Sequence, residues 1–125
     1  MKIFYFKNKL PVFIMTLALV YLTGCEECGL NGFETDSLPN GQIGFPYDSR
    51  IVVDNECRPL DERFWIIGGF LPEGISMSHR GELRGIPTKT GNYRFSVEVA
   101  ACFAEDLWGY YDCEGLIQSY QIIVE

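Results

Sequence analysis

The sequence predicts an all-β domain, a sandwich of about seven strands that follows a removable N-terminal segment. Beyond residue 40, apolar residues occur in short β-branched or aromatic runs that turn residues separate. After Cys25, no amphipathic stretch of helical period exceeds the length of about ten residues that a helix requires. Four further cysteines follow, an even number that favours disulfides in an exported chain.

The N-terminal segment has the order of charges that an export signal requires. Lys2, Lys7 and Lys9 precede any acid, and the apolar run 10–22 follows them. This run contains Pro11 and is shorter than the roughly 20 apolar residues that a membrane-spanning helix needs. We therefore expect residues 1–24 to be a cleaved signal peptide.

The signal ends in the sequence Leu22-Thr23-Gly24-Cys25, which resembles the lipobox of bacterial lipoproteins. The resemblance implies cleavage before Cys25 and acylation of its thiol, with membrane lipid as a partner. One acyl chain holds a protein only marginally, because each buried CH₂ contributes about 0.8 kcal/mol, so stable anchoring needs at least two chains. The alternative is an ordinary signal peptide that is cleaved beside an unmodified cysteine.

The expected location is the cell envelope, outside the cytoplasm, with the chain anchored by lipid. Glu26 stands where an Asp would resemble an inner-membrane retention signal, which favours the outer membrane or the cell surface. The membrane leaflet stays open.

Removal of residues 1–24 leaves 101 residues, enough for one small domain. We divide them into an anchor and tether, 25–37, and a sandwich domain, 38–125. The mature chain keeps all 17 acids but only seven basic residues. Such a charge excludes nucleic acid as a partner, since that binding depends on neutralising phosphates.

Four cysteines remain once Cys25 is acylated, and they allow three disulfide pairings. We favour Cys28 with Cys57 and Cys102 with Cys113, because the second pair closes a loop between two predicted neighbouring strands. Loops of these lengths would stabilise the domain by about 3.6 and 2.8 kcal/mol, respectively. The four contain no Cys-x-x-Cys pair, which argues against zinc.

The strands can be taken in order. Residues 26–40 are rich in turn-forming and acidic residues and predict a tether that leads into an edge strand. The predicted strands are 47–54, 63–67, 75–79, 82–86, 93–102 and 119–124. The clearest is 93–102, where apolar and polar residues alternate so that one face enters a core. Trp65, between apolar neighbours on a central strand, is predicted to lie in the core.

Three segments carry a family resemblance. Residues 69–77, 81–88 and 91–97 read G-F-L-P-E-G-I-S-M, G-E-L-R-G-I-P-T and G-N-Y-R-F-S-V. They resemble a bacterial immunoglobulin-like domain family that is similar to the cadherin-like module of dystroglycan. The resemblance covers about residues 38–125 and implies an immunoglobulin-like β-sandwich. This sequence departs from the family in its longer, acidic, cysteine-bounded segment 102–115.

That segment supplies the candidate binding residues Trp108, Tyr110 and Tyr111. Aromatic rings on a disulfide-closed loop suit recognition, because they bury much area at little cost in conformational entropy. The alternative, about equally supported, is that the rings fold back and cap one end of the sandwich.

The same segment contains four carboxylates that could supply oxygen ligands to Ca²⁺. They are Glu105, Asp106, Asp112 and Glu114. Solvated surface acids are the simpler interpretation, since no calcium-binding string of the cadherin type occurs. No other cofactor is expected.

His79 is the only histidine, and no arrangement supplies a nucleophile with a base and an oxyanion donor. We therefore expect no catalytic residues and no enzyme. The leading hypothesis is a binding or structural module of the envelope, with an envelope protein or a glycan as the partner. A calcium-stabilised adhesion or glycan-binding domain is the alternative, and a small anchored enzyme ranks last.

Overall fold

The computed structural model describes residues 28–104 and 108–125, and in these ranges the protein is all-β. The prediction of an all-β sandwich is confirmed. The described residues form eight strands: β1 Leu30–Phe33, β2 Tyr47–Arg50, β3 Val53–Asn55, β4 Asp61–Gly69, β5 Ile75–Met77, β6 Glu82–Gly85, β7 Gly91–Ala104 and β8 Tyr111–Val124. Within the described ranges, no helix is long and apolar enough to cross a membrane.

The strands form two antiparallel three-stranded sheets and one short antiparallel pair. The larger sheet, with the longer strands, has the order β4-β7-β8. The smaller sheet, with strands of three or four residues, has the order β2-β6-β5, and β1 pairs with β3. Gly41 adds a parallel bridge to Val124 at the free edge of β8. Backbone hydrogen bonds between Gly41 and both Ile123 and Glu125 hold this bridge.

The core lies between the two three-stranded sheets. Alternate residues of β7 are buried, from Phe95 to Phe103, as the period of two predicts. Phe64 on the adjacent strand β4 and Leu83 on β6 of the other sheet belong to the same core, and both are almost fully buried. Apolar burial from both sheets therefore stabilises the domain, as it does in sandwiches generally.

The prediction that Trp65 lies in the core is wrong. Phe64 occupies the core-facing position of β4, and successive strand residues point to opposite faces of a sheet. Trp65 consequently lies on the outer face, half-buried, where its indole N–H donates to Glu98 Oε2 at 2.8 Å. Apolar residues on both sides of Trp65 concealed the alternation in the sequence.

The longest hairpin of the fold joins β7 to β8. The sequence predicts strands 93–102 and 119–124 with a loop between them, whereas the ladder continues without a break to the pair Ala104 and Tyr111. The segment bounded by Cys102 and Cys113 is thus the end of a hairpin. Its strands are held by the backbone ladder, which the polar side chains of early β8 do not reveal in the sequence.

The predicted strand 47–54 is divided between two sheets. β2 belongs to the smaller sheet and β3 pairs with β1. Between them, Ile51 is buried, and its N–H donates to the Gly81 carbonyl at 2.8 Å. The buried Ile51 thus marks the point where the chain passes from the sheet that contains β2 to the β1–β3 pair.

β1 lies inside segment 25–37, for which the sequence predicts an anchor and tether. The ring of Phe33 packs edge-on against Tyr120 with centroids 6.1 Å apart. Side chains of β8 also reach this segment, since Gln118 and Tyr120 both donate to the Thr35 carbonyl. Residues 28–37 are therefore part of the folded domain and are not only a tether.

Gly68 and Gly69 end β4 and differ in their tolerance of a side chain. Gly69 has φ +74°, and a Cβ there would collide with the Arg94 carbonyl. A Cβ at Gly68 would meet no atom within 4 Å. Only Gly69 is required by the close approach of β4 to β7.

Candidate functional site

The end of the β7–β8 hairpin carries the three predicted binding residues, which we call the aromatic tip: Trp108, Tyr110 and Tyr111. Their side chains are 88%, 70% and 65% exposed, respectively. Rings that capped the sandwich would be buried, so the capping alternative does not describe this arrangement. The aromatic tip is an exposed cluster of large rings. Contact of such rings with water is unfavourable, so a cluster of this kind indicates an interaction surface.

Two disulfides lie at the base of the aromatic tip. Cys102 pairs with Cys113 across the ladder, with Cα atoms 4.0 Å apart, and Cys28 pairs with Cys57 at 5.2 Å. Both pairs are the favoured ones. The Cys102–Cys113 disulfide closes the hairpin directly beneath the aromatic tip and limits the conformations of the free hairpin. Less conformational entropy is therefore lost when a partner binds.

The four predicted calcium ligands are only partly described. Glu105 and Asp106 lie outside the described residues. Glu114 Oε2 accepts a hydrogen bond of 2.8 Å from the Leu30 N–H, so this carboxylate holds β1 to the hairpin. Asp112 is exposed on β8 opposite Phe103. In the described ranges, no three acidic, histidine or cysteine side chains cluster as metal ligands.

His79 lies in the turn between β5 and β6, where it is exposed. Its Nδ1 is 3.4 Å from the Phe64 carbonyl, and its own carbonyl accepts from the Phe64 N–H at 2.9 Å. These contacts join the two three-stranded sheets. His79 thus has a structural role that the sequence analysis did not identify.

A second candidate site, not predicted from the sequence, is a polar cleft of about 680 Å³ at the β7–β8 face, close to the end of β4. Its polar side chains are Asp36, Ser37, Arg94, Ser96, Ser119 and Gln121. The hydroxyls of Ser96 and Ser119 are 2.8 Å apart. The small residues Gly68 and Gly69 leave the cleft open beside them.

The electrostatics of the cleft involve Tyr120 and Asp36. Burial raises the pKa of the Tyr120 phenol to about 12, and the nearby Asp36 carboxylate adds to the increase. The phenol is therefore neutral and donates to the Thr35 carbonyl at 2.8 Å. Arg94 makes no ion pair with any residue of the described ranges. Its guanidinium is available to an anionic or hydroxyl-rich ligand.

Some polar residues of the cleft can be recognised in the sequence as the solvent-facing half of an alternating strand, but the cleft itself cannot. Arg94 and Ser96 are polar residues that alternate with the apolar ones in the predicted strand 93–102, and the period of two correctly places them on the outer face. Ser119 shares that face because it pairs with Ser96 across the ladder. Only the register between β7 and β8 brings the two serines together.

No protein-family model matches the chain, and no curated protein matches it. Among solved structures, the chain is similar to a putative alpha-galactosidase from Bacteroides fragilis, with a TM-score of 0.51 and 18% sequence identity. The match covers 75% of this chain but only 18% of that protein. At this identity the likeness concerns the fold alone, and it agrees with the β-sandwich described above.

Proposed function

We propose that the protein is a lipoprotein of the bacterial envelope, anchored outside the cytoplasm through acylated Cys25, with an immunoglobulin-like sandwich that contacts its partner through the aromatic tip. The observation that supports this function is the display of three large rings on a disulfide-closed hairpin. Rings held in this way bury much area on binding and lose little conformational entropy.

The two disulfides support an oxidising location for the domain, since such bonds persist outside the cytoplasm. The lipobox resemblance at residues 22–25 supports the anchor. Cys25→Ser tests it. We expect the wild-type chain to take up a labelled fatty acid and to sediment with membranes, and the variant to do neither. Equal labelling of both chains would contradict the anchor.

A photoreactive residue in place of Trp108 tests the contact surface in intact envelopes. We expect a defined covalent adduct with a lipid, a glycan or a protein. The matched control is the same residue in place of Phe70, whose ring is 83% exposed after the end of β4. Adducts that are no more frequent at Trp108 than at Phe70 would refute the proposed contact surface.

A second candidate function is binding of a sugar in the polar cleft. Hydroxyl, amide and guanidinium groups converge there, and such groups recognise polyhydroxylated ligands. We expect Arg94→Ala to weaken any oligosaccharide that the wild-type protein retains on a glycan array by at least about tenfold, as loss of a charged hydrogen bond implies. Unchanged retention would exclude the cleft as the sugar site.

A further inference from the structure

The described chain begins at the same end of the sandwich as the aromatic tip. The Leu30 N–H donates to Glu114 on β8, directly below the end of the hairpin. Cys28 precedes Leu30 by two residues and is tied to Cys57. Nearby, the Leu60 N–H donates to the Cys102 carbonyl at 2.7 Å. The chain therefore enters the domain beside the base of the hairpin.

The lengths of the two segments match. Cys28 is three positions from Cys25, a reach of at most about 10 Å. Glu114 is also three positions from Tyr111 along β8, which at about 3.4 Å per residue is a rise of about 10 Å. Because Cys28 lies near the level of Glu114, an anchored Cys25 and the aromatic tip can reach the same plane.

The chemistry of the aromatic tip suits that plane. Trp and Tyr are enriched where bilayer meets water, since each ring is apolar in its body and carries one hydrogen-bonding group. No basic residue lies between positions 95 and 125, and exposed acids lie below the rings. The surface is therefore suited to burying rings among headgroups and unsuited to attracting anionic lipid.

We propose that the aromatic tip inserts into the headgroup region of the bilayer that holds Cys25, so that the domain has two membrane attachments and a fixed orientation. This inference rests on the proposed lipid anchor and names the partner of the aromatic tip as a lipid surface. The orientation directs the opposite end of the sheet, where β4 ends at Gly69, away from the membrane. The polar cleft at that end then faces the aqueous space.

The test uses the acylated protein, purified from membranes and reconstituted in phosphatidylcholine vesicles with bromine atoms on the lipid close to the headgroup. Trp65→Phe leaves Trp108 as the only tryptophan of the chain. We expect its emission to fall by at least about twofold relative to vesicles without bromine, because a ring at the interface contacts these lipids. Added anionic lipid at low salt should decrease the quenching.

Two control variants report other parts of the domain. Trp108→Phe keeps Trp65, which lies on the outer face of the sheet and pairs with Glu98, four residues from the disulfide at Cys102. Phe70→Trp, in a chain that lacks both native tryptophans, reports the opposite end. We expect neither tryptophan to be quenched. Quenching at Phe70→Trp equal to that at Trp108 would overturn the fixed orientation.

The outcomes separate this inference from the proposed function. Acylated protein that stays on the vesicles while Trp108 is unquenched would refute insertion and leave the anchor intact. Insertion would also be refuted if Trp108 were shielded from solvent in native envelopes but not in the vesicles, since its partner would then be an envelope protein or a glycan. Wild-type protein that is recovered from membranes without acyl groups on Cys25 would overturn the proposed anchor, and this inference with it.

Discussion

Replacing Cys28 and Cys57 by serine should destabilise the domain more than replacing Cys102 and Cys113. The two disulfides span sequence separations of 29 and 11 residues. On the chain-entropy relation, closing these loops stabilises the folded state by about 3.6 and 2.8 kcal/mol, respectively. The difference of about 0.8 kcal/mol follows from loop length alone.

Melting curves of the two double variants, recorded by circular dichroism under oxidising conditions, measure this difference. For a domain of this size, 1 kcal/mol corresponds to about 4–8 °C, so the Cys28 and Cys57 variant should melt about 3–6 °C below the other. Proteolysis should also cut before Thr35 in that variant, because β1 then keeps its short pairing with β3 and its contacts with β8 but loses its covalent link to the domain. A larger loss in the Cys102 and Cys113 variant would refute the reasoning.

Further predictions concern the core, the end of β4 and the alkaline range. Phe64→Ala should lower the free energy of unfolding, measured in urea, by about 3–5 kcal/mol, and Trp65→Ala should lower it by only about 1–2 kcal/mol, because only the Phe64 ring lies in the core. Equal losses would contradict the assigned faces. Gly69→Ala should lower the free energy of unfolding by about 1–3 kcal/mol, whereas Gly68→Ala should leave it almost unchanged. A lower melting temperature for Gly68→Ala than for Gly69→Ala would exclude the steric argument. Tyr120→Phe should cost about 1 kcal/mol at pH 8 through the lost hydrogen bond. The folded phenol, with a pKa of about 12, keeps its proton when the unfolded phenol, with a pKa of about 10, releases it, so stability falls between pH 10 and 12. Tyr120→Phe should lose less stability than the wild-type protein between pH 10 and 12, measured as the fall in the urea midpoint. Identical falls would show that the Tyr120 phenol does not contribute to the pH dependence of stability.

The sequence was informative where a strand alternates clearly. In β7, the apolar positions from Tyr93 to Ala101 predicted the core face correctly, since a period of two admits one assignment. The favoured disulfide pairs also agree with the structure, because one of them joins directly opposed residues of β7 and β8. These features depend on local pattern and chain connectivity, both of which can be read directly.

Features that depend on pairing between distant segments were not predictable. Trp65 was assigned to the core because its apolar neighbours conceal which face each residue occupies, and only packing of Phe64 decides it. The start of β8 is polar and exposed, so its strand conformation comes from the ladder with β7. The polar cleft likewise requires the register that brings Ser96 to Ser119.

Intact-mass analysis of the protein extracted from bacterial membranes tests the central claim most directly. We predict a chain that begins at Cys25, carries at least two acyl chains on that residue and lacks the four thiol hydrogens of Cys28, Cys57, Cys102 and Cys113. A chain that retains residues 1–24, or one that begins at Cys25 without lipid, would contradict the account.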